Sequence, residues 1–441
     1  MFRQRNDDSP PCDKKGAKWL FLIGLFSMTQ LRFGAKIGIS EIACCLVAPI
    51  LFLKNLAAFS RDGVMPYFLL LIAWIFSALF SDFYNGAVFV QLIRGASVPI
   101  TIFSACVCVY YFLRRDPRNL RWILLGMACS YVLSIFVFQS GSAGDLAAEG
   151  DLAGAVDAVV GYKLFWSNTV KTALAVPINC WYESVPVWYL YPALIAIAVA
   201  NVMTGGRSAF AVSVLSIGLF IFGGKTAQKL RRIHRVFPIM IIGVLCCVFV
   251  LKSAYSFAAR HGYLNEEETA KYEKQTKSGG SPLALLMAGR SEFFVGLIAA
   301  LDKPFVGHGS QALDKNGYRA EFLAKYGTQE DIDQYMREVY ANGTMLCPIP
   351  AHSHVICYWM WHGICALFFW LYILYLVVMT VWRRLPIIPE WFGYFAIFIP
   401  AFLWDYFFSP FGARVAESTF FCAMLILLRI ERLSRRQPRW R

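Results

Sequence analysis

The chain has 441 residues, of which 58% are hydrophobic, 16% aromatic and only 16% charged, with a formal net charge of +14. Those proportions exclude an ordinary soluble domain. Apolar stretches long enough to cross a ~30 Å hydrocarbon layer recur along it, which makes it a polytopic helical membrane protein by sequence. The basic excess does not call for nucleic acid. RRDPRNLR at 114–121, KLRRIHR at 229–235 and RIERLSRRQPRWR at the C-terminus fall where alternation from an inside N-terminus puts cytoplasmic segments, so the positive-inside bias accounts for them.

In chain order, hydropathy marks about twelve spans. The charged start MFRQRNDDSPPCDKKGAK, with no small-residue cleavage site after the first apolar run, reads against a secretory signal peptide. The first five spans are 17–32, 37–54, 64–81, 86–113 and 120–139. An acidic loop, GSAGDLAAEGDLAGAVDAVVG, is expected outside, followed by a sixth span over 168–185 that Lys171, Pro177 and Glu183 interrupt. Spans 187–204 and 208–222 are joined only by TGGRSA, and a ninth covers 236–254. The polar stretch 256–351 is the one sizeable soluble feature. In it SPLALLMAGRSEFFVGLIAAL, with Ser281 as N-cap and Pro282 at the first helical position, reads as a helix along the membrane surface. PFVGHG is a turn, and TQEDIDQYMREVY is a second, polar helix. Spans 354–381, 389–408 and 415–430 complete the set.

The expected fold is therefore all-α, about twelve transmembrane helices with one large periplasmic helical loop. Residues 1–255 carry nine spans, 256–351 the loop, 352–430 the last three, and 431–441 a basic cytoplasmic tail. Thirteen cysteines sit mostly in apolar runs (Cys44, Cys45, Cys106, Cys108, Cys422 among them), where they act as small hydrophobes, and Cys347 is the only one in the large loop. No disulfide framework is indicated.

A few polar residues stand out. Arg207 follows Gly205 and Gly206 in a connection with almost no room for a loop. It is a snorkelling helix-end arginine, or a cation for a phosphate approaching an open backbone. Arg94 lies inside its span, either ion-paired, with Glu41 as counter-ion, or facing substrate. Arg290 is on the surface helix. Three of the six histidines, His352, His354 and His362, fall in AHSHVICYWMWHG. Metal ligation fits poorly, because His354 and His362 are roughly 12 Å apart along a helix and no carboxylate or cysteine pair accompanies them at ligand spacing. A helix cap and a general base at the water-facing mouth of the bundle both remain open for His352, while His362 reads as packing. Asp331 and Asp333 form a D-x-D, but Thr328 and Asp331 make a capping box at a helix start, which is the better reading. No metal and no cofactor are expected.

Together, three stretches resemble the O-antigen ligase/polymerase superfamily of bacterial envelope glycosyltransferases. In that family a helix ends in a T-x-S-R-like turn, matched by Thr204-Gly205-Gly206-Arg207-Ser208. A long periplasmic loop then carries an arginine helix, here with Arg290, and a P-x-x-G-x-G turn, here Pro304 to Gly309. It closes on a histidine with a glycine at fixed spacing behind it, which His352 and Gly363 fit. Ser353 stands where the family usually has Asn, and Gly206 where it usually has Ser. The match covers about 187–375 and rests on order and topology; the first half is matched by topology alone.

The resemblance implies a bacterial inner-membrane enzyme taking its glycan from undecaprenyl pyrophosphate and passing it to lipid A-core or another glycan, and the positive-inside bias leads us to expect both termini in the cytoplasm. It implies Arg207 and Arg290 as the clamp for the leaving pyrophosphate and His352 as base, with His354 a weaker candidate behind it. Arg94, by its place inside a span, and Gly205 and Gly206, by the open backbone they leave, are the candidates along the substrate path. Membrane lipids are the remaining partners, and nucleic acid is not among them. A transporter, the competing class, would be expected to show the internal repeat that this chain lacks.

Overall fold

The structure is a computed structural model that describes residues 13–27, 29–32, 36–136, 207–223, 291–327, 329–341, 348–381, 391–408 and 414–436, with isolated residues between 192 and 263. The spans expected over 168–185 and 236–254, and nearly all of 187–204, lie outside the described residues.

Helix α1 (Lys14–Leu25) begins where the Asp13 carboxylate accepts the Gly16 amide at 3.0 Å, a side-chain N-cap. The span expected over 17–32 needs correcting. The helix stops at Leu25, about 18 Å long and too short to cross a bilayer alone. A small antiparallel hairpin follows, β1 (Gln30–Arg32) paired with β2 (Lys36–Gly38). The polar run from Ser27 to Arg32 has no place in hydrocarbon. Apart from this hairpin and an isolated bridge, the described residues form helices and their connections.

Helices α2 (Ile39–Lys54) and α3 (Leu56–Asp62) meet at 77°. Next come α4 (Met65–Tyr84), α5 (Phe89–Leu113) and α6 (Leu120–Phe136). Among the described residues α4 and α5 are each long and apolar enough to cross a membrane, and the bent pair α2–α3 is a third candidate. Helix α6 packs on α1 through two glycines. A Cβ at Gly24 would lie 2.3 Å from the Ile123 carbonyl oxygen, and one at Gly126 would lie 2.2 Å from that of Phe21. Small residues let backbones touch where lipid gives helices no hydrophobic reason to associate.

The second half supplies α7 (Arg207–Gly223), α8 (Ser291–Asp302), α9 (Tyr318–Tyr326), α10 (Gln329–Ala341), α11 (His354–His362), α12 (Ile364–Met379), α13 (Phe392–Phe408) and α14 (Arg414–Arg436). The single helix expected over 354–381 is two, broken at Gly363, and the last helix continues past 430 to Arg436. Aromatic side chains fill the core. Trp74 meets Tyr358 edge-on at 4.9 Å and stacks on Phe369 at 5.1 Å, while Trp370 and Phe421 close the cluster.

Helix α4 spans ~30 Å at ~1.5 Å per residue, and different polar clusters sit at its two ends. Just before its start, Asp62 binds Arg114 at 2.7 Å, Arg429 at 3.4 Å and the Tyr110 hydroxyl at 3.1 Å. At its far end lies Asp82. Glu41, matched to Arg94 in the sequence, has a different cation in the structure, with Arg414 Nη1 3.8 Å away. Arg414 also donates to Thr101 at 3.3 Å. Arg94 is two turns, about 10 Å, further along α5 from that point.

Candidate functional site

A helix broken in mid-course leaves carbonyls at the end of one piece and amides at the start of the next without partners. At the Gly363 break these groups are satisfied from two directions. The turn after α8, Pro304 to Gly309, brings the His308 amide to the Met360 carbonyl at 2.7 Å and the Gly309 amide to that of Trp361 at 3.0 Å. It also takes the Ile364 amide on the Phe305 carbonyl at 3.1 Å. From α4, Ser81 donates to the Trp361 carbonyl at 2.7 Å and Ser77 to that of His362 at 2.5 Å. Gly363 has φ 74° and ψ −158°, a region essentially closed to other residues, and a Cβ there would lie 2.0 Å from the Phe305 carbonyl oxygen. The P-x-x-G-x-G turn and the glycine behind the histidine are thus two halves of one docking joint.

A buried hydrogen-bond chain locks the joint. Trp74 Nε1 donates to His362 Nδ1 at 2.9 Å, and the indole N–H can only donate. The neutral ring therefore carries its proton on Nε2, which reaches Ser310 Oγ at 2.9 Å. Ser310 in turn donates its hydroxyl to Asp82 Oδ2 at 2.8 Å and its amide to Oδ1. His362 is packed, as its sequence reads, and it also holds the turn in register. On the turn's outer side, His308 Nε2 donates to the Ala299 carbonyl at 2.8 Å, and burial holds that imidazole below its ordinary value.

The residues facing water are at the other end of α8. Glu292 Oε2 contacts His352 Nδ1, with the imidazole about half exposed and the carboxylate partly so. With Nδ1–H on the carboxylate, Nε2 keeps its lone pair and faces outward. The cap of α11 is Ser353, whose Oγ accepts the Ile356 amide at 3.5 Å and donates to the Tyr406 carbonyl at 3.0 Å. His352 is therefore not the helix cap. Serine and asparagine are both good N-caps, so Ser353 in the place of an asparagine keeps this start intact. Glu292 was not singled out in the sequence, where it only interrupts an apolar run. Its one signal there is that it stands two residues after Arg290.

The other candidates are dispersed. Arg207 opens α7, which packs on α13, the helix whose Tyr406 carbonyl receives Ser353. Gly205, Gly206 and Arg290 lie outside the described residues, Arg290 directly before α8. Arg94 is exposed near the start of α5. His354 points away from His352, buried edge-on against Tyr358 at 4.8 Å and Trp370 at 4.5 Å, so the structure packs it in the core and not beside the exposed pair. Thr328 lies outside the described residues, and Asp333 accepts from Gln329 Nε2 at 3.0 Å along one face of α10.

No curated protein and no solved structure matches the chain. Residues 192–371, which run from before Arg207 through the joint and into α12, match the family model described as O-antigen ligase. That segment, which holds the His352–Glu292 pair and the docked turn, is similar to the O-antigen ligase/polymerase superfamily.

Proposed function

We propose that the protein is an O-antigen ligase-like glycosyltransferase that moves a glycan from undecaprenyl pyrophosphate to a hydroxyl of lipid A-core at the periplasmic face of the inner membrane, without a metal. The contact of Glu292 with His352, inside the segment that matches the family, carries this reading. The acceptor oxygen attacks the anomeric carbon, and its proton passes to His352 Nε2. The bond from that carbon to the phosphate oxygen breaks, and the pyrophosphate leaves with the electron pair. Glu292 orients the ring and steadies the positive charge it acquires. Arg207 and Arg290 meet the charge growing on the leaving group, a task suited to preorganised guanidinium groups in a poorly hydrated site. Arg94, Gly205 and Gly206 belong to the donor's path in this reading. His354 acts through packing behind the loop.

Ligase and polymerase share donor and leaving group and differ in the acceptor. Deleting the gene in its own host should leave lipid A-core bare while long glycan accumulates on the polyprenyl carrier. A core capped with a single repeat unit would assign polymerisation instead.

A further inference from the structure

Beyond the joint, the turn and the loop that follows it line a cleft of about 200 Å³, smaller than the ~300–1,000 Å³ of pockets for drug-sized ligands and of a size for one sugar ring. Its rim is polar: Asn85 and Gln91 from the α4–α5 connection and the start of α5, and Lys303, Gln311, Lys315 and Asn316 from the loop. Its floor includes Ser310, which the buried chain to Asp82 and His362 holds in place.

Three observations indicate what it takes. First, its charge is unbalanced. Lys303 Nζ reaches only the neutral Asn85 Oδ1, at 3.3 Å, and Lys315 has no anionic partner among the described residues. The nearby carboxylates are committed elsewhere and do not line the cleft. Asp314 accepts the Tyr318 and Arg319 amides at the start of α9, both at 2.8 Å, and Asp302 accepts the Tyr318 hydroxyl at 2.6 Å. Second, the side-chain amides of Gln91 and Gln311 line the cleft with the ammonium groups, a donor and acceptor mixture of the kind vicinal hydroxyls require, while Asn85 is held by Ser81, Gly307 and Lys303 and Asn316 by Tyr318. Third, Gln311 has φ 54°, the one non-glycine residue with positive φ among the described residues, and such conformations cluster where ligands are held.

We infer that this cleft is a subsite for an acidic sugar, phosphate- or carboxylate-bearing, of a glycan handled by the enzyme, distinct from the place of transfer. The assignment of a glycan rests on the transferase reading above. Helix α8 connects the two places. Glu292 is in its first turn and Lys303 directly follows its end, so they stand roughly 16 Å apart along the axis at ~1.5 Å per residue. An extended saccharide lying along α8 would meet the base at one end and the two lysines at the other.

The test is direct binding to the purified full chain, with glucose 6-phosphate and galacturonate as probes, glucose as the neutral control and inorganic phosphate as competitor. Both acidic sugars should bind, and glucose should bind about tenfold more weakly or worse. Lys303→Ala/Lys315→Ala should weaken the acidic sugars about tenfold, ~1.4 kcal/mol. The exposed Lys315→Glu, which no buried contact opposes, should act in the same direction. Equal binding of glucose, wild-type affinity in both variants, or phosphate binding as tightly as the sugar phosphate would overturn the subsite. So would loss of sugar binding in nanodiscs of phosphatidylglycerol but not of phosphatidylcholine, which would make the cleft a lipid-headgroup site. In transfer assays the double variant should raise KM for one glycan substrate more than it lowers kcat. Whether donor or acceptor KM moves tells which glycan supplies the acid. If no transfer occurs at all while acidic sugars still bind through the lysines, the transferase reading fails and the cleft stands.

Discussion

A histidine serves as a base only when one ring nitrogen keeps its lone pair toward the substrate, and the neighbour of the other nitrogen decides which one does. Here that neighbour is Glu292, on Nδ1 of His352. His352→Ala should lower transfer by roughly 10²–10⁴-fold, the usual worth of a positioned base, with donor binding largely kept. Glu292→Gln preserves shape and loses the charge, so single-turnover transfer of labelled glycan should fall by about tenfold or more. Arg207→Lys and Arg290→Lys keep the charge but lose the planar fork, and about hundredfold losses are expected in the same assay. Near-normal turnover in His352→Ala would reduce that histidine to a loop residue. The histidine was legible because it is a rare polar residue at the mouth of an apolar run. Its carboxylate was not, since the two stand sixty positions apart and only the packing of α8 on α11 brings them together.

At the scale of elements, the break between α11 and α12 is what the turn from Pro304 to Gly309 docks on. Gly363→Ala forces a Cβ into the Phe305 carbonyl and a backbone conformation open only to glycine. The thermal midpoint in detergent should drop, with a cost of about 3 kcal/mol or more. Gly363→Ala with a wild-type midpoint would mean the break is not required. His308 predicts a pH dependence. Its ordinary value is 6.5, and burial lowers it, with Lys303 adding to the effect and the Ala299 carbonyl opposing it. The unfolded chain therefore binds more protons than the folded one as pH falls below 6.5, so this contribution is complete above that point and is lost towards the folded value. Wild-type melting temperature should fall between about pH 7 and about pH 5, and His308→Gln, which can still donate to Ala299, should flatten the slope. An unchanged slope in the variant would remove His308 from the account. The turn and its glycines were visible as a motif in the sequence, but their purpose was not. Orphan carbonyls exist only once the helix is known to break.

For the molecule as a whole, α4 separates an Asp62–Arg114–Arg429 cluster at one end from the Asp82–Ser310–His362 chain at the other. The C-terminal helix thus comes to the end opposite the docked turn. From the positive-inside bias we propose that both termini are cytoplasmic and 256–351 periplasmic. Gln275→Cys in a Cys347→Ser background should react with an impermeant maleimide from the periplasmic side, and labelling only from the cytoplasm would reverse the topology. Composition and hydropathy by themselves determined the apolar, helical character of the chain and most helix positions among the described residues, because burial in lipid demands long apolar runs that any sequence must display. The residues of the first apolar run show where this fails: part of that run leaves the helix for a hairpin, since backbone groups outside hydrocarbon have other partners. Only the tertiary structure could join Glu292 to His352, give Arg414 to Glu41, turn His354 inward, and leave two lysines facing a cleft with no counter-ion among the described residues. The first two pair residues far apart in the chain, and side-chain partners across such separations are fixed by packing.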